Sequence, residues 1–251
     1  MRAWQFFAGG PDLYRWREPV FILISLVCCT LIIWQANLDQ RIARLFYIPG
    51  EAYFPVWRKW QGMTDPFWQG VYHFTPWPSL LLGAFALVIL GLGFFRQRLR
   101  VFRKQALFIL LLLALGPGLL VNVILKNNLD KPRPSEVREF GGEYVPAQFW
   151  QQGKPGNHTN GSFPSGHAAM AFAVIGPWFF LRQGPGRLGL LFLAGGTGWG
   201  MLVGTARIAQ GGHFFSDVIW SGGLIYLVGF GLAQVLKLDK PPVARHPSGF
   251  V

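Results

Sequence analysis

The chain has 251 residues, about half of them hydrophobic, with 11 Trp, 23 Phe and a formal net charge of +12. That richness in apolar and aromatic side chains, with a positive mean hydropathy, excludes an ordinary soluble domain and points to one integral membrane domain spanning 1–251. The 23 Lys and Arg are scattered between apolar runs and form no single basic face, which excludes a nucleic-acid partner and leaves membrane topology and anion binding as uses of the charge.

The stretch before the first apolar run, MRAWQFFAGGPDLYRWREP, is too long and mixed for a signal-peptide start. The run after it lacks a small-x-small cleavage site, so it is expected to stay as an anchor. Cys28 and Cys29 are adjacent within this run, where neighbouring side chains diverge, so no disulfide framework is expected.

Six apolar segments follow, each near the roughly 20 residues needed to cross a hydrocarbon core. They run from Pro19 to Leu38, Trp77 to Phe95, Gln105 to Leu125, Ala168 to Leu181, Leu188 to Ala206 and Asp217 to Leu236. The fold class is therefore an all-α integral membrane protein with six transmembrane helices. The fourth segment is short and is extended by the polar turn before it. Glycines in the fifth, Gly195, Gly196, Gly198 and Gly200, are expected to mark close helix contact.

Loop charge sets the orientation. Arg96 to Lys104, RQRLRVFRK, holds five basic residues and no acid, so it belongs on the cytoplasmic side. Alternation then places both termini inside and three loops outside: Asp39 to Pro76, Lys126 to His167, and Arg207 to Ser216. The first outer loop mixes basic residues with Phe54, Trp57, Trp60, Phe67 and Trp68, a composition suited to a lipid-facing collar at the interface. Two glycosylation sequons, at Asn157 and Asn160, are chance matches in this setting. Glu136, Glu139 and Glu143 read as solvated loop charges.

This topology brings polar groups from several helix ends to the outer face. Arg207, His213 and Asp217 stand at membrane mouths, where such groups are costly and usually functional. Lys126, Arg133 and Arg207 are three cations able to hold phosphate oxygens, arginine in bidentate geometry. Ser165 and Gly166 mark a helix N-terminus, where free N–H groups and the helix dipole favour an anion. His213 and Asp217 are spaced i, i+4, so on one helix face the carboxylate can hold one ring nitrogen and leave the other as nucleophile or base. His167 is placed to act as a general acid. The set is that of a phosphoryl-transfer site.

Three motifs carry a family resemblance. Lys126 through Arg133-Pro134, then Pro164-Ser165-Gly166-His167, then Ala206-Arg207 through His213 to Asp217 resemble the three signature motifs of the type 2 phosphatidic acid phosphatase superfamily. The resemblance covers segments three to six, so residues 105–236 form the catalytic core. It implies a mechanism without metal or cofactor, in which His213 attacks phosphorus to form a phosphohistidine, Asp217 orients it and His167 protonates the leaving oxygen. Lys126, Arg133, Ser165, Gly166 and Arg207 would bind the equatorial phosphate oxygens. Ala206 stands where the family has a serine, which removes one hydroxyl donor.

The substrate implied is a membrane lipid phosphate reaching the site from the bilayer. Candidates are lipid A, undecaprenyl diphosphate, phosphatidylglycerol phosphate and phosphatidate. EFGG at Glu139 to Gly142 and AQGGHFFSD at Ala209 to Asp217 are similar to stretches of bacterial lipid A phosphatases in this superfamily, which favours lipid A and implies a multi-pass protein of the bacterial inner membrane with its site facing the periplasm. A lipid-to-lipid phosphotransferase and a non-catalytic scaffold or anion-binding protein are the alternatives.

Overall fold

In lipid every backbone polar group must find its partner within the protein, so the long apolar runs fold as helices. The computed structural model describes residues 16–49, 60–151, 153, 161–182, 184 and 187–238. In chain order the α-helices are α1 (Arg17–Gln35), α2 (Leu38–Arg44), α3 (Pro66–Phe74), α4 (Trp77–Phe95), α5 (Arg103–Leu113), α6 (Lys126–Asn128), α7 (Gly166–Phe172), α8 (Trp178–Leu181), α9 (Leu188–Ala209) and α10 (Phe215–Val235). No strand occurs among the described residues; two isolated bridges, Tyr47 with Trp60 and Val137 with Tyr144, tie the outer loops.

Between α5 and α6 the helix widens to π geometry over Ala114–Leu125. Pro117 lies inside this stretch, where its missing N–H and its ring are incompatible with α-helical hydrogen bonding. The Asn122 amide donates to the Pro117 carbonyl at 2.7 Å. The third predicted segment is thus one continuous span, Gln97–Asn128, and it delivers Lys126 at its far end.

Five helices among the described residues are long and apolar enough to cross a membrane: Arg17–Gln35, Pro66–Phe95, Gln97–Asn128, Leu188–Ala209 and Phe215–Val235. The fourth predicted segment, Ala168 to Leu181, corresponds to the apolar stretch Gly166–Leu181, which is shorter than these. It breaks after Phe172 into a 3-10 turn, Ala173–Ile175, before Pro177 and α8. Its Ala168, Ala169, Ala171, Phe172, Ile175 and Phe179 are buried, so other helices surround it and it can be short. In contrast α1 and α4 expose Phe21, Ile24, Leu81, Phe85 and Phe95, the pattern of lipid-facing helices. Cys28 and Cys29 are free thiols on the exposed side of α1.

The glycines of α9 divide by face. A Cβ at Gly196 would lie 2.6 Å from the Ile175 backbone nitrogen, and at Gly200 and Gly204 it would overlap Phe172 and Val218. Nothing lies near Gly195 or Gly198, so the expected contact role holds for a stripe at i, i+4, i+8 and not for its neighbours. Gly204→Leu is expected to force α9 away from α10, costing about 1–3 kcal/mol and lowering the melting temperature in detergent.

At the end opposite the site, Glu18 of α1 pairs with Arg182 at 2.7 Å and accepts from the Tyr226 hydroxyl, tying α1 to α8 and α10. At the site end a second small core forms from Ala43, Trp60, Val137, Phe140 and Phe214, with Phe46, Tyr47 and Met63 packed against it. Phe140 and Phe214 come from EFGG and AQGGHFFSD, so those two stretches meet. The first outer loop therefore contributes buried structure as well as any interfacial collar. Its Phe54 and Trp57 lie outside the described residues, as do Asn157 and Asn160.

Candidate active site

Three backbone links join the three motif stretches. Ser162 N–H donates to the Lys131 carbonyl at 2.8 Å, Ser135 N–H to the Gly211 carbonyl at 3.0 Å, and Gly161 N–H to the Lys126 carbonyl at 3.3 Å. On the inner side, Ser165 N–H donates to the Ser221 hydroxyl at 2.9 Å, and that hydroxyl reaches the carbonyls of Ser165 at 3.0 Å and Asp217 at 2.7 Å. The loop after α6, the start of α7 and the start of α10 are thereby held together. Lys126, Arg133 and Arg207 lie within electrostatic reach of one another and of His167, and Arg207 and Lys126 also of His213.

His213 precedes α10 by two residues, so the expected pairing with Asp217 across one helix face is replaced by a loop-to-helix arrangement. Asp217 uses Oδ2 to accept from Phe214 N–H at 2.8 Å, capping the helix. This leaves Oδ2 3.7 Å from His213 Nδ1, outside hydrogen-bond range. Nδ1 instead lies 2.6 Å from the Ser162 carbonyl. A carbonyl only accepts, so Nδ1 carries the proton and Nε2 keeps its lone pair. Burial pushes the His213 pKa down to about 3, against the upward pull of Asp217; a buried, unpaired charge is unfavourable, so the ring is neutral.

The other oxygen of Asp217 faces a lysine that sequence reading passed over. Lys131 Nζ donates to Asp217 Oδ1 at 2.8 Å, to the Ser216 hydroxyl at 2.8 Å and to Asp39 Oδ2 at 3.2 Å. Asp39 in turn accepts from Ser216 N–H at 2.8 Å and from the Ser216 hydroxyl at 2.6 Å. Lys131, Asp39, Ser216 and Asp217 are all buried, none more than 2% exposed. Burial works against the Lys131 charge, and the carboxylates of Asp217 and Asp39 outweigh it, raising its pKa above the ordinary lysine value.

Ser165 is an N-cap, its hydroxyl accepting from Ala168 N–H at 3.4 Å. Its own N–H is committed to Ser221, so the expected free donor at this position is occupied. A Cβ on Gly166 would overlap the Asn122 amide, which explains the glycine there. His167 follows in α7, its ring tilted 32° against Tyr72 with centroids 4.9 Å apart. Tyr72 also lies 5.0 Å below the Arg207 guanidinium, a cation–π contact. Tyr72 belongs to α3, where Asp65 caps the helix through Phe67 N–H at 2.8 Å. The first outer loop thus reaches the site.

Arg207 donates to the Gln210 side chain, while its Nε is buried and lacks a hydrogen-bond partner among the described residues. The glycines after it make room. Gly211 has φ +64°, the left-handed region that glycine occupies without strain, and a Cβ there would overlap Trp60. A Cβ on Gly212 would lie 2.5 Å from Arg207 Nη2. Gly212→Ala is therefore expected to displace the guanidinium, raising KM about tenfold, or ~1.4 kcal/mol, with kcat less affected and the fold intact, as read by steady-state phosphate release. Arg133 offers its N–H to Glu136 Oε2 at 2.8 Å, and Glu139 pairs with Arg44 at 2.5 Å, so these two acids hold the outer loops in place and are not simply solvated. No three His, Cys, Asp or Glu side chains cluster as metal ligands among the described residues.

The cations and histidines thus gather around a buried carboxylate in an all-helical protein with five helices, among the described residues, long and apolar enough to cross a membrane. Residues 105–239 match the model of the PAP2 superfamily, and the chain belongs to that superfamily, as its three motifs imply. Among similar proteins is the lipid A 4'-phosphatase of Francisella tularensis subsp. novicida (strain U112), 29% identical over 214 residues, covering 82% of this chain and 91% of the relative. The lipid A 4'-phosphatase of Rhizobium leguminosarum is 35% identical over 119 residues, 45% of this chain and 48% of the relative. No solved structure matches.

Proposed function

We propose that the protein is a lipid phosphatase that removes a phosphate from lipid A at the outer face of a bacterial inner membrane. Membership of the superfamily and similarity over most of the chain to a lipid A 4'-phosphatase support this substrate and favour the 4'-phosphate. Six membrane segments, with both termini cytoplasmic, fit the five long spans plus the buried short one. In this topology the basic loop at Arg96 to Lys104 lies inside. Lys126 ends the same span that begins beside that loop, so the site opens on the periplasmic side.

The observation that carries the mechanism is the state of His213. It is neutral, with Nδ1 donating to the Ser162 carbonyl at 2.6 Å, so Nε2 is free to attack. The Nε2 lone pair forms the N–P bond as the P–O bond to the lipid breaks, and His167 gives the departing oxygen its proton. Water then attacks phosphorus and gives its proton to His167, which the first step left deprotonated; the N–P electron pair returns to Nε2 and phosphate leaves. Lys126, Arg133 and Arg207, with the helix start at Gly166 that Ser165 caps, stabilise the equatorial oxygens as charge develops. The unpartnered Arg207 Nε supports an anion in this position, since a buried donor without an acceptor is costly. Ala206 is buried and lacks the hydroxyl of the family serine, so the phosphate relies on the remaining donors.

The test is phosphate release by purified protein on a panel of lipid phosphates, with chelator present. Turnover of lipid A that survives chelation is expected. Loss of activity on chelation would overturn the direct histidine attack, turnover of another lipid alone would overturn the substrate, and lipid phosphorylation with little free phosphate would make the enzyme a phosphotransferase.

A further inference from the structure

Both supports of the nucleophile run back to one residue. The Ser162 carbonyl that holds His213 Nδ1 at 2.6 Å belongs to a residue whose N–H donates to the Lys131 carbonyl at 2.8 Å. The Asp217 carboxylate behind the ring is held by the Lys131 ammonium at 2.8 Å. That ammonium has three protons, and its three acceptors are Asp217, Ser216 and Asp39. Asp39 comes from α2, at the start of the first outer loop and 178 positions before Asp217 in number (217 − 39). Among the described residues Asp39 accepts from Lys131 and Ser216.

We propose that Lys131, with Asp39 as its counter-ion, is a positioning residue for the His213 nucleophile. This rests on the reading of His213 as the attacking group. Two carboxylates and one ammonium leave one negative charge behind a neutral ring. When Nε2 bonds to phosphorus and Nδ1 keeps its proton, the ring becomes cationic, and that charge is balanced by the one negative charge already fixed there. Removing Lys131 alone would leave Asp39 and Asp217 as adjacent buried carboxylates, which cannot both stay ionised. Removing Asp39 alone would leave a neutral Lys131–Asp217 pair and no net charge to balance the cationic ring. A purely structural lock differs in its consequences, because its loss would lower stability and leave the rate at which folded protein forms phosphoenzyme unchanged.

The experiment compares the unaltered protein, His213→Ala, the double variant Asp39→Leu/Lys131→Met and the single variant Asp39→Asn. Each is purified in detergent and given a radiolabelled lipid monophosphate in mixed micelles. Melting temperature, kcat, KM and the rate of forming an alkali-stable phosphoenzyme are measured. The double variant is expected to melt below the unaltered protein, because the buried Asp217 loses its ammonium partner. In the protein that stays folded, kcat and phosphoenzyme formation are expected to slow about 100-fold, the scale of a small misplacement of a reacting group, with KM within about twofold because the phosphate contacts are untouched. Asp39→Asn keeps the side-chain shape and is expected to lower the rate of phosphoenzyme formation about tenfold, which keeps the inference testable if the double variant does not fold. A double variant, or Asp39→Asn, that forms phosphoenzyme at the unaltered rate would overturn the positioning role and leave the reading of His213 standing. Full activity in His213→Ala, or no turnover in the unaltered protein, would overturn that reading and this inference with it.

Discussion

His213→Ala is expected to lower kcat for phosphate release by on the order of 10^4 or more, with the protein still folded. The imidazole is 1% exposed and is held by the Ser162 carbonyl, so its loss leaves a cavity and an unsatisfied acceptor, worth about 1–3 kcal/mol. That is too little to unfold a helical bundle held by five long spans, and folded protein without turnover is the expected pair of observations. The pH dependence follows from the direction of the shift. Attack needs the unprotonated ring, and burial lowers the His213 pKa to about 3. The nucleophile is therefore fully available above that value and is lost only as pH falls through it. Between about pH 5 and 8, where an ordinary histidine would titrate, kcat should show no acid-side loss from His213. A single-turnover pH profile of phosphoenzyme formation checks this. An acid limb centred near the ordinary histidine value, present with every substrate, would mean that the ring is solvated and the buried arrangement is wrong.

The helices were legible because lipid leaves apolar sequence few alternatives. The helix Trp77–Phe95 was legible to the residue, the first, fifth and sixth segments to within three residues, and the third to within three at its end but eight residues late at its start. The short segment from Gly166 to Leu181 was harder, since length alone does not separate a lipid-crossing helix from one buried among others. Its alanines, and the contact stripe of Gly196, Gly200 and Gly204, were the available signals. Lys126, Arg133, His167, Arg207, His213 and Asp217 were legible as charged or titratable groups at membrane mouths. By the same criterion Lys131 and Asp39 also stand at the ends of apolar runs, yet neither belongs to a spacing that sets it apart from other loop charges. Their partners lie 86 residues apart for Lys131 and Asp217 and 92 for Lys131 and Asp39, and no local period encodes such a pairing. The Ser162 carbonyl gave no sequence signal at all, because every residue has one. Tyr72 was hidden among the aromatics of a loop whose composition fits an interface equally well.

Asp217 carries the second large effect, and two variants separate its structural and chemical parts. Asp217→Ala removes the acceptor of Lys131 at 2.8 Å and the cap on Phe214 N–H at 2.8 Å. Lys131, 1% exposed, would then be left with Asp39 and Ser216 only. Removing one partner of a buried ion pair costs about 3–5 kcal/mol, and an unmade helix cap about 0.5–2 kcal/mol. Asp217→Ala is therefore expected to melt well below the unaltered protein and to have no measurable turnover. Asp217→Asn keeps the shape and one oxygen, so it should fold. In a site where the carboxylate alone fixes the proton on the catalytic histidine, such an amide costs on the order of 10^4 in kcat because the wrong tautomer forms. Here the Ser162 carbonyl already fixes the proton on Nδ1, and what Asn removes is the negative charge behind the ring. A smaller loss, about 100-fold, is expected, with KM little changed. A loss near 10^4 in Asp217→Asn would show that Asp217, and not Ser162, sets the tautomer during turnover, which requires the carboxylate to close the 3.7 Å gap to Nδ1 once a phosphate is bound.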